Sequence, residues 1–351
     1  REGMFLDAEE NRALWKIAEQ KPSGYSPWDR IGRHTSDGSF VARHIDSILK
    51  LPFFDLERIR RRGFRVVVDC VNAAGGLIVP PLLARLGCTV IEMNCDGGGI
   101  FNRMPEPVPE NLVGLCRRVT AEHADLGIAV DPDVDRLALV DENGEPFGEE
   151  YTITTAVKFI LEKHLASKGV PGPTVVVNLS TTRAVDDVAG KFGASVIRTP
   201  VGEINVAKKM KECRALIGGE GSGGVILPAV HYGRDALVGI GLILLQLTEF
   251  GGTLSALRST LPRYAMAKSK VVLADRDPER VLRTFGQKYG NNGTLNTEDG
   301  MKLTFDDSWV HMRKSNTEPM IRIIAEAPTQ GEAVELAHKY TDLLLETGGV
   351  A

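Results

Sequence analysis

The chain has 351 residues, enough for roughly two to four domains, and its 43% hydrophobic and 25% charged residues describe an ordinary globular protein. A net charge of -4 excludes a general nucleic-acid surface, and no apolar run approaches the roughly 20 residues that span a bilayer. Neither a nucleic acid nor a membrane is expected as a partner. The cysteines Cys70, Cys88, Cys95, Cys116 and Cys213 are odd in number and form no C-x-x-C, which fits core thiols in a reducing cytoplasm.

The opening Arg1-Glu-Gly-Met-Phe5 is neither a signal peptide nor a natural start, so sequence upstream is expected. Leu6-Asp7 leads into a helical pattern through Trp15 and Ile17, broken by Lys21-Pro-Ser-Gly24 and Ser26-Pro27. A second helix is predicted from Asp37 to Lys50, because Phe40, Val41, Ile45, Ile48 and Leu49 share one face. Two helices and a loop are too little for an independent core. Residues 1–50 are therefore expected to be the end of another domain.

Residues 51–150 carry a new unit. Arg65-Val-Val-Val-Asp69 reads as a buried strand, Asn72-Ala-Ala-Gly-Gly76 as a tight turn, and the following stretch to Leu86 as a helix. Cys88-Thr-Val-Ile91 is the next strand, and a stiff loop through Gly97-Gly-Gly99 and Met104-Pro-Glu-Pro-Val-Pro109 precedes a helix from Glu110 to Ala121. Ala124-Asp-Leu-Gly-Ile-Ala-Val130 and Leu137-Ala-Leu-Val140 are core strands joined by Asp131-Pro-Asp-Val-Asp-Arg136. Asp131, Asp133 and Asp135 thus stand at i, i+2 and i+4 on a tight loop. Hard divalent cations take such oxygen ligands, and Mg²⁺ is usually held by carboxylates together with phosphate oxygens or water. A solvated acidic turn is the plain alternative. A calcium EF-hand fails, because Arg136 stands where its glycine is needed and strands flank the loop.

Residues 151–260 repeat the plan. Val175-Val-Val177 is a strand, Arg183 to Phe192 a helix, Gly193-Ala-Ser-Val-Ile197 resembles Gly87-Cys-Thr-Val-Ile91, Glu203 to Glu212 is a helix and Ala215-Leu-Ile217 a strand. This reads as an internal β-α-β-α-β repeat with mixed sheets. It puts Gly218-Gly-Glu-Gly-Ser-Gly-Gly224 where the first copy has its aspartate loop. Ligands gather at the carboxyl ends of strands in open α/β sheets, so the two loops are expected to face one central cleft. Glycines let the backbone approach a ligand, and Glu220 with Ser222 suits paired sugar hydroxyls. His231 and Arg234-Asp235 can reach the same ligand, although a lone histidine is commonly structural. The loop is neither a dinucleotide fingerprint nor a P-loop.

Residues 261–351 mix strands (Ser269–Leu273, Met301–Leu303, Trp309–Met312, Met320–Ile324) with helices at Pro278–Tyr289 and Gln330–Glu346, the pattern of a small α+β domain. Arg313-Lys-Ser-Asn-Thr-Glu-Pro319 lies between two strands, with Arg322 just beyond. Two guanidiniums, hydroxyls, an amide and turn N–H groups make an anion cradle, since arginine matches phosphate bidentately. A polar hairpin turn is the alternative.

Asp131-Pro-Asp-Val-Asp-Arg136, Gly219-Glu-Gly-Ser-Gly-Gly224 and Arg313-Lys-Ser-Asn-Thr-Glu-Pro319 occur in the order and spacing of the α-D-phosphohexomutases, and Thr199-Pro-Val-Gly202 resembles that family's loop before the sugar-binding segment. The resemblance covers nearly the whole chain. It implies four domains around a cleft, of which this chain holds the end of the first (1–50), a metal-binding domain (51–150), a sugar-binding domain (151–260) and a phosphate-binding domain (261–351). It implies Mg²⁺ on Asp131, Asp133 and Asp135, sugar hydroxyls on Glu220 and Ser222, and the non-transferred phosphate on Arg313, Ser315, Asn316, Thr317 and Arg322. Arg136, which would steady the oxygen cluster, and His231 are expected to serve catalysis, and Arg234 is expected to bind substrate.

The family's nucleophile is a phosphoserine in a Thr-Ala-Ser-His-Asn-Pro-like loop, and no such loop occurs among these residues. The 351-residue chain is therefore expected to be inactive by itself. The complete enzyme is expected to move a phosphoryl group between the 1- and 6-positions of a hexose phosphate through a hexose 1,6-bisphosphate. The Glu220-Gly-Ser222 loop with Tyr232-Gly-Arg-Asp235 looks most like phosphoglucosamine mutases. Phosphomannomutase or phosphoglucomutase activity is the close alternative, and a non-catalytic phosphosugar-binding protein is an alternative of another class. A phosphatase with Asp131 as nucleophile lacks the expected strand context. Monomer and dimer are both compatible with the sequence.

Overall fold

The computed structural model describes residues 3–20, 25–166, 172–273, 276–315 and 320–348. Two compact units share the chain: Arg1–Pro146 with Val225–Thr253, and Phe147–Gly224 with Leu254–Ala351.

The first unit opens with α1 (Ala8–Glu19). Asp7 accepts the Glu9 and Glu10 N–H groups while the Glu10 side chain accepts the Asp7 N–H, a capping box that satisfies orphan donors. No residue of α1 is buried. Then come α2 (Phe40–Leu49), which buries Ile45 and Ile48, and α3 (Leu56–Arg62), which Gly63 ends at φ 63°. The segment β1 (Arg65–Asp69), α4 (Gly75–Arg85), β2 (Thr89–Met93), α5 (Val113–Ala121), β3 (Leu126–Val130) and β4 (Leu137–Asp141) builds a sheet of order β2-β1-β3-β4. Strand β1 runs parallel to β2 and β3, and β4 is antiparallel to β3, so the sheet is mixed, as expected. Its central strands are continuous apolar runs because both faces are covered. On one face Val67, Ala129, Ala138 and Val140 pack on Leu115 and Val119 of α5.

The second unit begins with α6 (Glu149–Ala166), β5 (Thr174–Asn178), α7 (Ala184–Lys191), β6 (Ser195–Thr199), α8 (Glu203–Cys213) and β7 (Ile217–Glu220). Strand β5 pairs in parallel with β6 and with β7. The order β6-β5-β7 repeats the order β2-β1-β3, so the tandem β-α-β-α-β plan is present. Strand β8 (Gly224–Ile226) takes the chain back to the first unit. There α9 (Ala236–Phe250) packs against α2, α3 and β4.

The second unit resumes with α10 (Leu254–Ser259), β9 (Ala265–Val272), α11 (Pro278–Tyr289), β10 (Thr294–Asn296), β11 (Met301–Thr304), β12 (Trp309–Lys314), β13 (Met320–Ala327) and α12 (Gln330–Gly348). These strands form an antiparallel sheet, β10-β11-β12-β13-β9. Phe285, Val310, Ile323, Tyr340 and Leu344 share its core. This is the α+β portion read from the sequence.

Several elements differ from the sequence reading. Helices α3, α6, α9 and α10 and strand β10 were not anticipated. Helix α9 is buried from Ala236 to Thr248, so it carries apolar residues all round and shows no amphipathic period. Helix α2 starts at Phe40 rather than Asp37, because the Asp37 carboxylate accepts the Ser39 N–H and hydroxyl in a local turn. Strand β7 runs through Gly218 and Gly219 to Glu220, past its expected end at Ile217. No helix among the described residues is long and apolar enough to cross a membrane.

Candidate functional site

The aspartate loop is a tight connection between antiparallel β3 and β4, closed by the Val130–Leu137 pair. Asp131 shapes it: its Oδ1 accepts the Asp135 and Arg136 N–H groups, each at 3.1 Å. Val134 adopts φ 64°, a left-handed conformation costly for a β-branched residue, and its carbonyl accepts the Ala236 N–H at 3.1 Å. One oxygen each from Asp131, Asp133 and Asp135 lie within 4.8 Å of one another. Asp131 is buried, Asp135 half-buried and Asp133 exposed. Burial and the neighbouring Asp135 push Asp131 up to about 7.

Two guanidiniums answer this charge. Arg136 Nε lies 3.4 Å from Asp131 Oδ2 and 3.6 Å from Asp135 Oδ1, and Arg136 NH1 reaches Glu106 at 3.2 Å. Arg234 is ion-paired with Asp135 Oδ2. Asp135 Oδ1 is nevertheless buried without a hydrogen-bond partner. An oxygen-only donor set with an unsatisfied buried carboxylate oxygen fits a hard cation such as Mg²⁺. Arg103, not singled out from the sequence, supports the loop from behind. Its side chain is 9% exposed and pairs with buried Asp69 at 2.9 Å, and its NH2 donates to the carbonyl of Val130 at 3.0 Å.

His231 does not stand free. Its Nε2 and that of His44 meet the same oxygen, Asp235 Oδ2, at 2.9 and 2.8 Å. The Gly233 N–H donates to His231 Nδ1 at 2.9 Å, so the ring proton belongs on Nε2, which donates to Asp235. That tautomer leaves no Nε2 lone pair for a metal. Asp235 Oδ1 caps α9 by accepting the Leu237 and Val238 N–H groups. Burial opposes ionisation of Asp235, but the bonds from His231 and His44 outweigh it and hold the carboxyl well below its usual range.

In the second unit, Glu220 ends β7 and is buried. Its Oε1 accepts Asn178 Nδ2 at 2.8 Å and the Gly202 N–H at 3.0 Å. Gly202 belongs to the Thr199-Pro-Val-Gly202 stretch, whereas Asn178 gave no signal in the sequence. Ser222 is partly exposed in the turn. The glycines are needed for space: a Cβ at Gly219 would stand 2.1 Å from the Gly224 carbonyl, and one at Gly218 would stand 2.4 Å from that of Val176.

Arg313 and Arg322 are direct cross-strand partners on β12 and β13. Like charges placed opposite one another destabilise a sheet unless an anion lies between them. Arg313 Nε is buried without a hydrogen-bond partner, and Arg322 is exposed. The Ser315 N–H donates to the Met320 carbonyl at 2.8 Å and closes the loop. Asn316 and Thr317 lie outside the described residues. Three further polar side chains are accounted for. Lys314 pairs with Glu279 and Lys268 with Glu149. His311 bonds to the Ser180 hydroxyl and the Asp299 carbonyl, and burial pushes it down to about 4.

Three models of phosphoglucomutase/phosphomannomutase domains match consecutive parts of the chain: α/β/α domain II at residues 42–144, α/β/α domain III at 151–264 and the C-terminal domain at 264–343. A probable phosphoglucosamine mutase from Methanopyrus kandleri is 34% identical over 345 residues, 98% of this chain and 74% of the relative. A phosphoglucomutase/phosphomannomutase from Thermococcus kodakarensis is 34% identical over 346 residues, with 98% and 74% covered. A phosphoglucomutase/phosphomannomutase family protein from Burkholderia thailandensis shares the fold, with TM-score 0.80 at 21% identity over 97% of this chain and 71% of that one. The chain therefore belongs to the phosphoglucomutase/phosphomannomutase family, the α-D-phosphohexomutases, whose reaction class is that of phosphomutases, a class of isomerases.

Proposed function

We propose that this chain is the metal-, sugar- and phosphate-binding part of a phosphoglucosamine mutase that works through a phosphoserine and a hexose 1,6-bisphosphate. In this reading Glu220 and Ser222 accept and donate to sugar hydroxyls. Arg313, Ser315 and Arg322, with Asn316 and Thr317, hold the phosphate that is not being transferred. Asp131, Asp133 and Asp135 hold Mg²⁺, which when bound supplies positive charge against the transferring phosphoryl group. Arg136 and Arg234 spread the remaining carboxylate charge, and His231 orients Asp235 and with it the Arg234 backbone. A phosphoserine outside these residues donates a phosphoryl group to the free hydroxyl. The bisphosphate turns over, and the serine takes back the other phosphoryl group. Turning requires that both ends of the substrate be accepted, which explains an arginine cradle separate from the aspartates. Phosphoryl transfer itself asks mainly for positioning and charge stabilisation.

The observation that carries the reading is the Arg313–Arg322 pair, two arginines directly opposite one another on neighbouring strands with a buried Arg313 donor unused. Glucosamine phosphate is favoured by the Glu220-Gly-Ser222 loop and by the name of the Methanopyrus relative. The Thermococcus relative's name keeps mannose and glucose phosphates as the second reading. Calorimetric titration of the chain with glucosamine 6-phosphate, mannose 6-phosphate and glucose 6-phosphate tests it. Arg322→Ala is expected to weaken binding about tenfold or more, since a charge-assisted bond contributes about 1.5–3 kcal/mol. Unchanged affinity in that variant would remove the phosphate assignment. Tightest binding of mannose 6-phosphate would replace the substrate.

A further inference from the structure

The helix α6 has an acidic first turn, Glu149 and Glu150. The Glu150 carboxyl lies against Gly221, the residue between Glu220 and Ser222. A Cβ at Gly221 would stand 2.0 Å from Glu150 Oε2 and 2.1 Å from Oε1, so any side chain there would displace the Glu150 carboxyl from the loop. Glu150 Oε2 accepts the Thr182 N–H at 2.9 Å. The adjacent Thr181 hydroxyl accepts the Gly221 N–H at 3.1 Å and donates to Asn178 Oδ1 at 3.0 Å. Asn178 in turn donates to Glu220 Oε1. One continuous set of bonds therefore runs from Glu150 through the β5–α7 turn to Glu220, with Gly221 held on both sides.

We propose that Glu150 is a positioning residue of the sugar loop, the side chain on which Gly221 is seated and which sets how Glu220 and Ser222 are presented to a hexose phosphate. The proposal rests on the reading of residues 218–224 as a sugar-binding loop. The charged groups that face Glu150 are Glu149 on its own helix, Lys268 on β9, Lys302 on β11 and Glu326 on β13; Lys268 is engaged by Glu149, and burial lowers the pKa of Lys302 and so disfavours its charge. Burial, then Glu149, pushes Glu150 up to about 8. At pH 7 the carboxyl is thus largely neutral, and the loop carries one carboxylate, Glu220, rather than two. That suits a ligand bringing its own phosphate charge. Above about pH 8 ionisation puts a second carboxylate under the loop. Its repulsion of Glu220 and of the phosphate then acts in one direction, toward a looser loop and weaker binding.

The test compares the 351-residue chain with Glu150→Gln and Glu150→Ala in two measurements at pH 7 and pH 9. One is calorimetric titration with glucose 6-phosphate, whose phosphate is ionised at both pH values. The other is amide hydrogen exchange of residues 218–224 without ligand, corrected for intrinsic rates. In the parent chain both affinity and protection are expected to fall several-fold from pH 7 to pH 9. Glu150→Gln is expected to match the parent at pH 7 and to stay flat. Glu150→Ala is expected to lose protection at both pH values. If Glu150→Gln keeps the parent's pH dependence of exchange, or Glu150→Ala protects the loop as the parent does, the proposal is overturned. If exchange behaves as expected while no hexose phosphate binds, the positioning role stands and the sugar reading fails.

Discussion

Asp131 shows how one side chain serves two tasks. Its Oδ1 organises the loop backbone through the Asp135 and Arg136 N–H groups, while Oδ2 faces Arg136. Asp133 is exposed, so changing it tests ligation without disturbing the fold. Asp133→Asn is expected to weaken Mn²⁺ binding at least tenfold, about 1.4 kcal/mol, and to leave the thermal midpoint unchanged. Titration calorimetry with Mn²⁺, followed by a thermal scan of the metal-free variant, checks both halves. Equal affinity in the variant would take Asp133 out of the cation site. At this scale the sequence was largely legible, because the three aspartates lie within five residues and their proximity follows from the turn. Glu150 was not legible. It lies 70 positions from Glu220 in the numbering, and only the close approach of α6 to the glycine turn joins them.

Among the elements, α9 starts on the Asp235 side-chain cap. Asp235 accepts two N–H groups at its start and two histidine donors on its other oxygen. Gly251 ends the helix at φ 76°, where glycine avoids the Cβ penalty. Losing an N-cap costs about 0.5–2 kcal/mol. Asp235→Ala is expected to reach the upper end of that range, because His44 and His231 lose their shared acceptor as well. Asp235→Asn, which keeps the cap acceptor, is expected to cost less. Urea denaturation of the two variants measures the difference, and equal stability of Asp235→Ala and the parent would rule out this cap. The helix itself escaped sequence reading for the reason that makes it stable: Leu242, Ile243, Leu244 and Leu245 are all buried, so no polar stripe marks a face.

For the whole chain the expectation concerns turnover. No Thr-Ala-Ser-His-Asn-Pro-like loop occurs in the 351 residues, so this polypeptide is expected to bind hexose phosphates without interconverting them. A coupled assay on protein of verified 38.1 kDa mass checks this, and steady mutase turnover in it would refute the phosphoserine dependence. Short-range order in the chain was enough to reveal the β-α-β-α-β repeat, the α+β end portion and the positions of the aspartate loop and the glycine turn at strand ends. Alternation of apolar runs with turn residues is a local property, and each loop keeps its chemistry within a few neighbours. Only packing decided the rest. It seated Gly221 against the Glu150 carboxyl, set Arg313 opposite Arg322 across two strands, left Asp135 Oδ1 without a partner and gathered His44, His231 and Asp235 at one helix end. Those relations join residues remote in sequence, or depend on space and desolvation that a linear pattern does not carry. They exist once the sheets and helices have closed around them.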